Sequence, residues 1–241
     1  HFLKMLDLIL KNGKCYIDGD LKDVDVAVKD KKIQQIGQIS EEAKEIIDAS
    51  GHTVLPGCID TQTHFREPGS TDTEDLHSGS RAAIAGGITS VFEMPNTNPP
   101  TSNKKEFQRK LDLAKNRMYC NYAFYFGATA DNANDLASLK DLEGCCGIKL
   151  FAGSSTGNLL VAEEDDIDKV FQNASKVVAV HSEDEAILEV NKKLIKQGDV
   201  HTHPIWRSAE CAISSTRRIV RIAEKYNKKA HVLHITTKEE I

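Results

Sequence analysis

The 241 residues combine 40% hydrophobic with 28% charged side chains, a balance that suits a globular chain with a large core and excludes a disordered or fibrous protein. A formal net charge of -5 leaves no broad basic surface, which excludes nucleic acid and anionic lipid as main partners. No apolar run approaches the ~18 residues of a membrane span, and the six cysteines contain no C-x-x-C pair, so neither a zinc ribbon nor a disulfide framework is expected and a reducing cytoplasm is the expected setting.

Residues 1–52 read as short, partly alternating strands: Leu6–Leu10, Lys14–Ile17, Val24–Val28 and Lys32–Ile36, punctuated by Gly13, Asp18-Gly19-Asp20 and Asp30. This predicts a small β unit. From residue 53 the pattern changes to apolar strand, polar loop and helix, repeated. Strands are predicted at Thr53–Asp60, Ser90–Met94, Tyr122–Gly127, Gly147–Phe151, Val177–Val180 and His231–Ile235. Helices are predicted between them at Asp75–Ala85, Lys104–Asn116, Glu164–Asn173, Asp184–Gln197 and Ala209–Tyr226. Such alternation implies an α/β fold with a parallel sheet and helices packed outside it. A doubly wound sheet ends naturally after six strands, whereas a (β/α)8 barrel needs two more strand-helix units. The polar residues favour the barrel, because they gather at the C-terminal ends of several strands.

Those ends carry Asp60, Gln62, His64 and Arg66 after the first strand, Glu93 and Asn96 after the second, Lys149 in the fourth, His181 after the fifth and His234 after the sixth. A lone histidine is most often a hydrogen-bonded structural residue, the reading adopted for His52, His77, His201 and His203. Three histidines at three strand ends point instead to a metal site at the barrel mouth. Lys149 is out of place beside a cation. It either points away, pairs with a carboxylate, or takes up carbon dioxide on its neutral amine to become an anionic carbamate ligand.

GCIDTQTHFREPG at 57–69, MPNTNPPT at 94–101, GIKLFAGSSTG at 147–157, VAVHSED at 178–184 and HVLHIT at 231–236 together resemble the type I dihydroorotases of the amidohydrolase superfamily. The resemblance implies a distorted (β/α)8 barrel, TIM-like, of which residues 53–241 hold strands one to six. Residues 1–52 would form part of a small β-sandwich. It implies that His64 is a metal ligand, Lys149 a carboxylated bridging ligand, and His181 and His234 the ligands of a second metal, with zinc as the metal and one or two ions per chain. His231, at the start of its strand, is not expected to bind. The implied reaction interconverts N-carbamoyl-L-aspartate and L-dihydroorotate in pyrimidine synthesis, with Arg66 and Asn96 holding the substrate carboxylate. The general-base aspartate is expected beyond Ile241, so residues 1–241 hold no catalytic residue of that kind and are expected to be inactive alone. A homodimer is also implied.

One departure stands out. The strand-one pattern Asp-x-His-x-His here reads Asp60-Thr61-Gln62-Thr63-His64, and a glutamine amide is a far weaker zinc ligand than imidazole. Strand alternation places Gln62 on the same side as His64, so the first metal is expected to be weakly held or absent, while that bound by Lys149, His181 and His234 persists. Two other readings stay open: an allantoinase- or hydantoinase-type cyclic amidohydrolase, against which Arg66 speaks, and a silent homologue that binds a partner such as aspartate carbamoyltransferase. Residues 153–157 are expected to form a flexible loop over the mouth, and Glu93 and Glu183 to orient ligands.

Overall fold

The computed structural model describes residues 5–241, and the chain divides into two compact units between Gly57 and Cys58. The first unit contains β1 (Leu6–Lys11), β2 (Lys14–Ile17), β3 (Asp20–Asp23), β4 (Asp25–Lys29), β5 (Lys32–Gly37), β6 (Ala43–Asp48) and β7 (Thr53–Val54). They build a four-stranded sheet in the order β5-β4-β1-β6 and a three-stranded sheet in the order β3-β2-β7. Leu6, Ile9, Ala27 and Ile39 form the small core. Buried Asp25 accepts from the amides of Asn12 and Ile39 at 3.0 and 3.1 Å, bonds that hold its carboxyl below the usual range against its burial. Strands β3 and β6 were not legible in the sequence, since neither alternates buried with exposed positions: β3 is exposed throughout and β6 nearly so.

The predicted strand Thr53–Asp60 is corrected to two. Leu55-Pro56-Gly57 breaks it, leaving β7 in the first unit and β8 (Cys58–Thr63) in the second. There, β8 is followed by α1 (Leu76–Ala85), β9 (Ile88–Glu93), α2 (Lys104–Ala114), β10 (Asn121–Gly127), β11 (Cys145–Phe151), α3 (Glu164–Asn173), β12 (Val178–His181), α4 (Glu185–Asn191), α5 (His203–Trp206), α6 (Ala209–Lys225) and β13 (Ala230–Val232). The predicted helix Asp184–Gln197 is also shorter than expected: α4 gives way to a 3-10 turn at Lys192–Leu194. Side-chain caps fix the helix starts, with Asp75, Asn103, Asp184 and Ser208 each accepting from backbone amides of the first turn.

All neighbouring strands of this unit are parallel, in the order β13-β12-β11-β10-β9-β8. The order never reverses. A doubly wound sheet reverses at its switch point, so the six strands curl in one direction as a partial TIM barrel. Alternate residues divide between two cores. Phe124, Phe126, Ile148, Leu150, Val178 and Val180 belong to the larger cluster, which includes Phe107, Ile219 and Ile222 of α2 and α6. Met94, Tyr125, Ala179 and Leu233 form a separate inner cluster on the concave side.

Helix α1 approaches the chain beyond β8 closely. A Cβ at Gly79 would lie 2.5 Å from Phe65 Cδ1, in the ring that separates His64 from Arg66. Gly79→Ala is therefore expected to destabilise by about 1–3 kcal/mol through overpacking, against the ~1 kcal/mol gain that helix propensity alone suggests. The denaturation midpoint of the full-length gene product checks the sign.

Candidate active site

The strand register carries Lys149 to the concave side. It lies level with Gly127 of β10 and Ala179 of β12, between the outward-facing Ile148 and Leu150. The side chain is 1% exposed. Its Nζ contacts Leu150 O at 3.5 Å and sits 4.1 Å from the centre of the Phe151 ring, and among the described residues no carboxylate pairs with it. Burial lowers the amine to about 7, which makes the neutral form abundant at physiological pH.

Two imidazoles meet beside it. His181 ends β12 and His234 follows β13 in a left-handed backbone conformation, φ 39°. His181 Nδ1 and His234 Nε2 are 3.1 Å apart, while His181 Nε2 lies 2.7 Å from Glu183 Oε2. Partial burial, His181 and Lys149 together keep the His234 ring below the ordinary imidazole range. Both rings line an open cavity of about 800 Å³ with Glu183, Arg207 and His203. His203, for which only a structural role was expected, stands on that wall as well.

Beyond β8, His64 and Arg66 share one loop. Burial, then the charges of Arg66 and Lys149, bring the His64 ring down to about 4 against the opposing pull of Asn96, so it is a neutral donor near pH 7. Arg66 is half-buried with φ 58°. Among the described residues Arg66 forms no ion pair with its neighbours Glu67 and Asp75. Both Glu67 oxygens are taken by Arg117 at 2.7 and 3.1 Å, one of them also accepting from Leu76 N, and Asp75 caps α1. Among the described residues the Arg66 guanidinium has neither a hydrogen bond nor an ion pair.

The first strand is less regular than simple alternation assumes. Asp60 pairs with Val91 and Thr63 with Glu93, so the ladder slips around Gln62. Its backbone amide donates to Asp60 Oδ1 at 2.9 Å, and its side-chain amide has no hydrogen-bond partner among the described residues. Asn96 donates through Nδ2 to Thr156 O at 3.0 Å, while its Oδ1 is buried without a partner. The loop expected to be flexible is thereby anchored, and Ser154 N adds a 2.6 Å bond to Glu185 Oε2.

Among the described residues no three His, Cys, Asp or Glu side chains converge as a cation cluster. The donor chemistry nevertheless fits a metal. Two nitrogens bound to one tetrahedral zinc stand about 3.3 Å apart, close to the 3.1 Å between His181 and His234. A neutral Lys149 amine, within electrostatic reach of both His64 and His234, completes a set able to become anionic by carboxylation.

Three positions contribute here that the sequence reading missed. Arg207 and Glu185 carry no local signal. Lys110 did carry one, since it shares the apolar stripe of α2 with Phe107 and Ala114, where a charge has no ordinary reason to be.

The six strands thus form a one-way parallel half-barrel that carries imidazoles and a buried lysine at its strand ends. The chain belongs to the amidohydrolase family, whose model matches residues 53–241. It is 33% identical over 243 residues to a dihydroorotase of Methanosarcina mazei, covering 98% of this chain and 53% of the relative. It is equally similar, at 34% over 247 residues, to an allantoinase of Escherichia coli, covering 98% and 54%. Among solved structures, the L-hydantoinase of Arthrobacter aurescens superposes with a TM-score of 0.90 at 26% identity, over 98% of this chain and 54% of that one. The chain thus spans about half the length of the curated relatives it matches.

Proposed function

We propose that the complete protein is a zinc-dependent dihydroorotase, which opens the ring of L-dihydroorotate to N-carbamoyl-L-aspartate and closes it again. The observation that carries this choice among cyclic amides is Arg66. Arg66 is half-buried, its guanidinium has no partner among the described residues and it stands two positions from His64, so it is free to take an anion, and of the three ring substrates under comparison only dihydroorotate brings a carboxylate. The loop backbone that carries Arg66 is braced: Glu67 is clamped by Arg117, and Asn98 N donates to Pro68 O at 2.9 Å. His181, His234 and Lys149 would hold the zinc, with His64 at its edge. When bound, zinc would polarise the ring carbonyl and acidify water.

Arg66→Lys keeps the charge but loses the two parallel donors. It is expected to lower kcat/KM for L-dihydroorotate about 10- to 100-fold, mainly through KM, in the full-length gene product. Turnover of a hydantoin, which lacks the carboxylate, would be unchanged. Equal losses on both substrates would overturn the assignment of Arg66, and preferential turnover of allantoin by the unmodified protein would move the reading to the allantoinases. The silent-homologue reading, carried by Gln62, requires no turnover of any of these by a folded, zinc-loaded protein.

A further inference from the structure

Beyond the groups that would hold a metal, one side chain joins two parts of the mouth that are far apart in sequence. Arg207, just before the Ser208 cap of α6, pairs through Nη1 with Glu183 Oε2, the oxygen that faces His181 Nε2 at 2.7 Å. Its other amino group donates to Ser154 O at 2.8 Å, and its guanidinium lies 4.5 Å from the centre of the Trp206 ring. The same short loop is tied on its other side by Glu185 and Asn96. At Gly153 it runs so near Glu183 that a Cβ would lie 2.7 Å from Glu183 Cβ.

We propose that Arg207 is a positioning residue that ties the 153–157 loop to His181 and, through Glu183, fixes which ring nitrogen of His181 carries the proton. A carboxylate paired with a guanidinium only accepts hydrogen bonds, so His181 Nε2 must be the donor. In the neutral ring this leaves Nδ1 as a bare lone pair. Nδ1 is the atom that faces His234 Nε2, so the pairing aims both imidazoles at one point. Without Arg207 the Glu183 carboxylate loses its counterion, Ser154 O loses its donor, and either His181 tautomer becomes accessible. The inference deepens the hydrolase reading and rests on it for the metal, whereas the tautomer is a property of the protein itself.

The test uses the full-length gene product, stripped of metal and labelled with ¹⁵N-histidine. The imidazole nitrogen shifts report the His181 tautomer, and zinc is then titrated against a competing chelator. The unmodified protein is expected to hold His181 as the Nε2–H form. Arg207→Gln is expected to give a mixture of tautomers and zinc binding weakened about 10- to 100-fold, the usual consequence of losing an outer partner of a ligand. Arg207→Lys keeps a charge on Glu183 but lacks a second arm for Ser154 O. It should retain tautomer and zinc affinity, with KM for L-dihydroorotate raised. If the glutamine variant does not fold, Glu183→Gln, which can donate as well as accept, should produce the same tautomer mixture. A single Nε2–H form with undiminished zinc affinity in Arg207→Gln or Glu183→Gln would overturn the proposal. An unmodified protein that shows the Nε2–H form yet binds no zinc and opens no cyclic amide would sink the hydrolase reading and leave the tautomer assignment standing.

Discussion

Lys149→Ala in the full-length gene product is expected to reduce turnover of L-dihydroorotate by roughly a thousandfold, equivalent to about 4 kcal/mol of transition-state stabilisation. The side chain is 1% exposed, touches no carboxylate among the described residues and is held near 7 by burial, which leaves no place for the ordinary role of a lysine as a surface or paired cation. What remains is a neutral amine at the level of Gly127 and Ala179, within electrostatic reach of His64 and His234. Uptake of carbon dioxide, with loss of a proton from the nitrogen, would convert that amine into an anionic oxygen ligand. Protein prepared in ¹³C-bicarbonate should therefore show one carbamate signal by NMR, absent from the variant. Zinc content should fall with activity. An alanine variant that keeps both its zinc and its turnover would remove Lys149 from the site.

The second large effect concerns stability. Lys110 and Glu93 form an ion pair in which each side chain is 1% exposed, and Lys110 also donates to Met94 O at 3.0 Å. Burial raises the Glu93 carboxyl to about 7, with Lys110 opposing. Lys110→Met leaves that carboxyl with no counterion and is expected to cost about 3–5 kcal/mol near pH 8. The pH dependence follows from proton counting. A carboxyl that stays protonated when folded and ionises when unfolded makes stability fall as pH rises, by about 1.4 kcal/mol per unit. In the unmodified protein this fall is confined to the interval between about 4.5 and 7, where the folded carboxyl itself ionises. In Lys110→Met it should continue above 7, so the variant is hurt least near pH 5. Adding Glu93→Gln removes the titrating group and should restore a flat profile above 7. Denaturant titrations at pH 5, 7 and 8.5 decide it, and a variant whose loss is the same at all three would show that Glu93 does not titrate in this range.

How much of this was written along the chain differs from residue to residue. His64, Lys149, His181 and His234 could be found without coordinates, because a parallel strand displays its period locally and its C-terminal end is where a barrel gathers its chemistry. The six-strand alternation was legible for the same reason. Gln62 was legible as a residue but not as a conformation, since the ladder slip around it depends on the hydrogen bonds β8 makes with β9. Only the tertiary structure decided that Glu67 belongs to Arg117, freeing Arg66, that Lys110 crosses from α2 to Glu93, and that Arg207 reaches back to Glu183 and Ser154. It also decided that Thr53–Val54 belongs to a different sheet from Cys58–Thr63. The physical reason is common to all of them. Strand and helix periods are set by a residue's immediate neighbours, whereas the partner of a charge is set by how helices and loops lie against the sheet, and residues 16 to 53 positions apart meet only there.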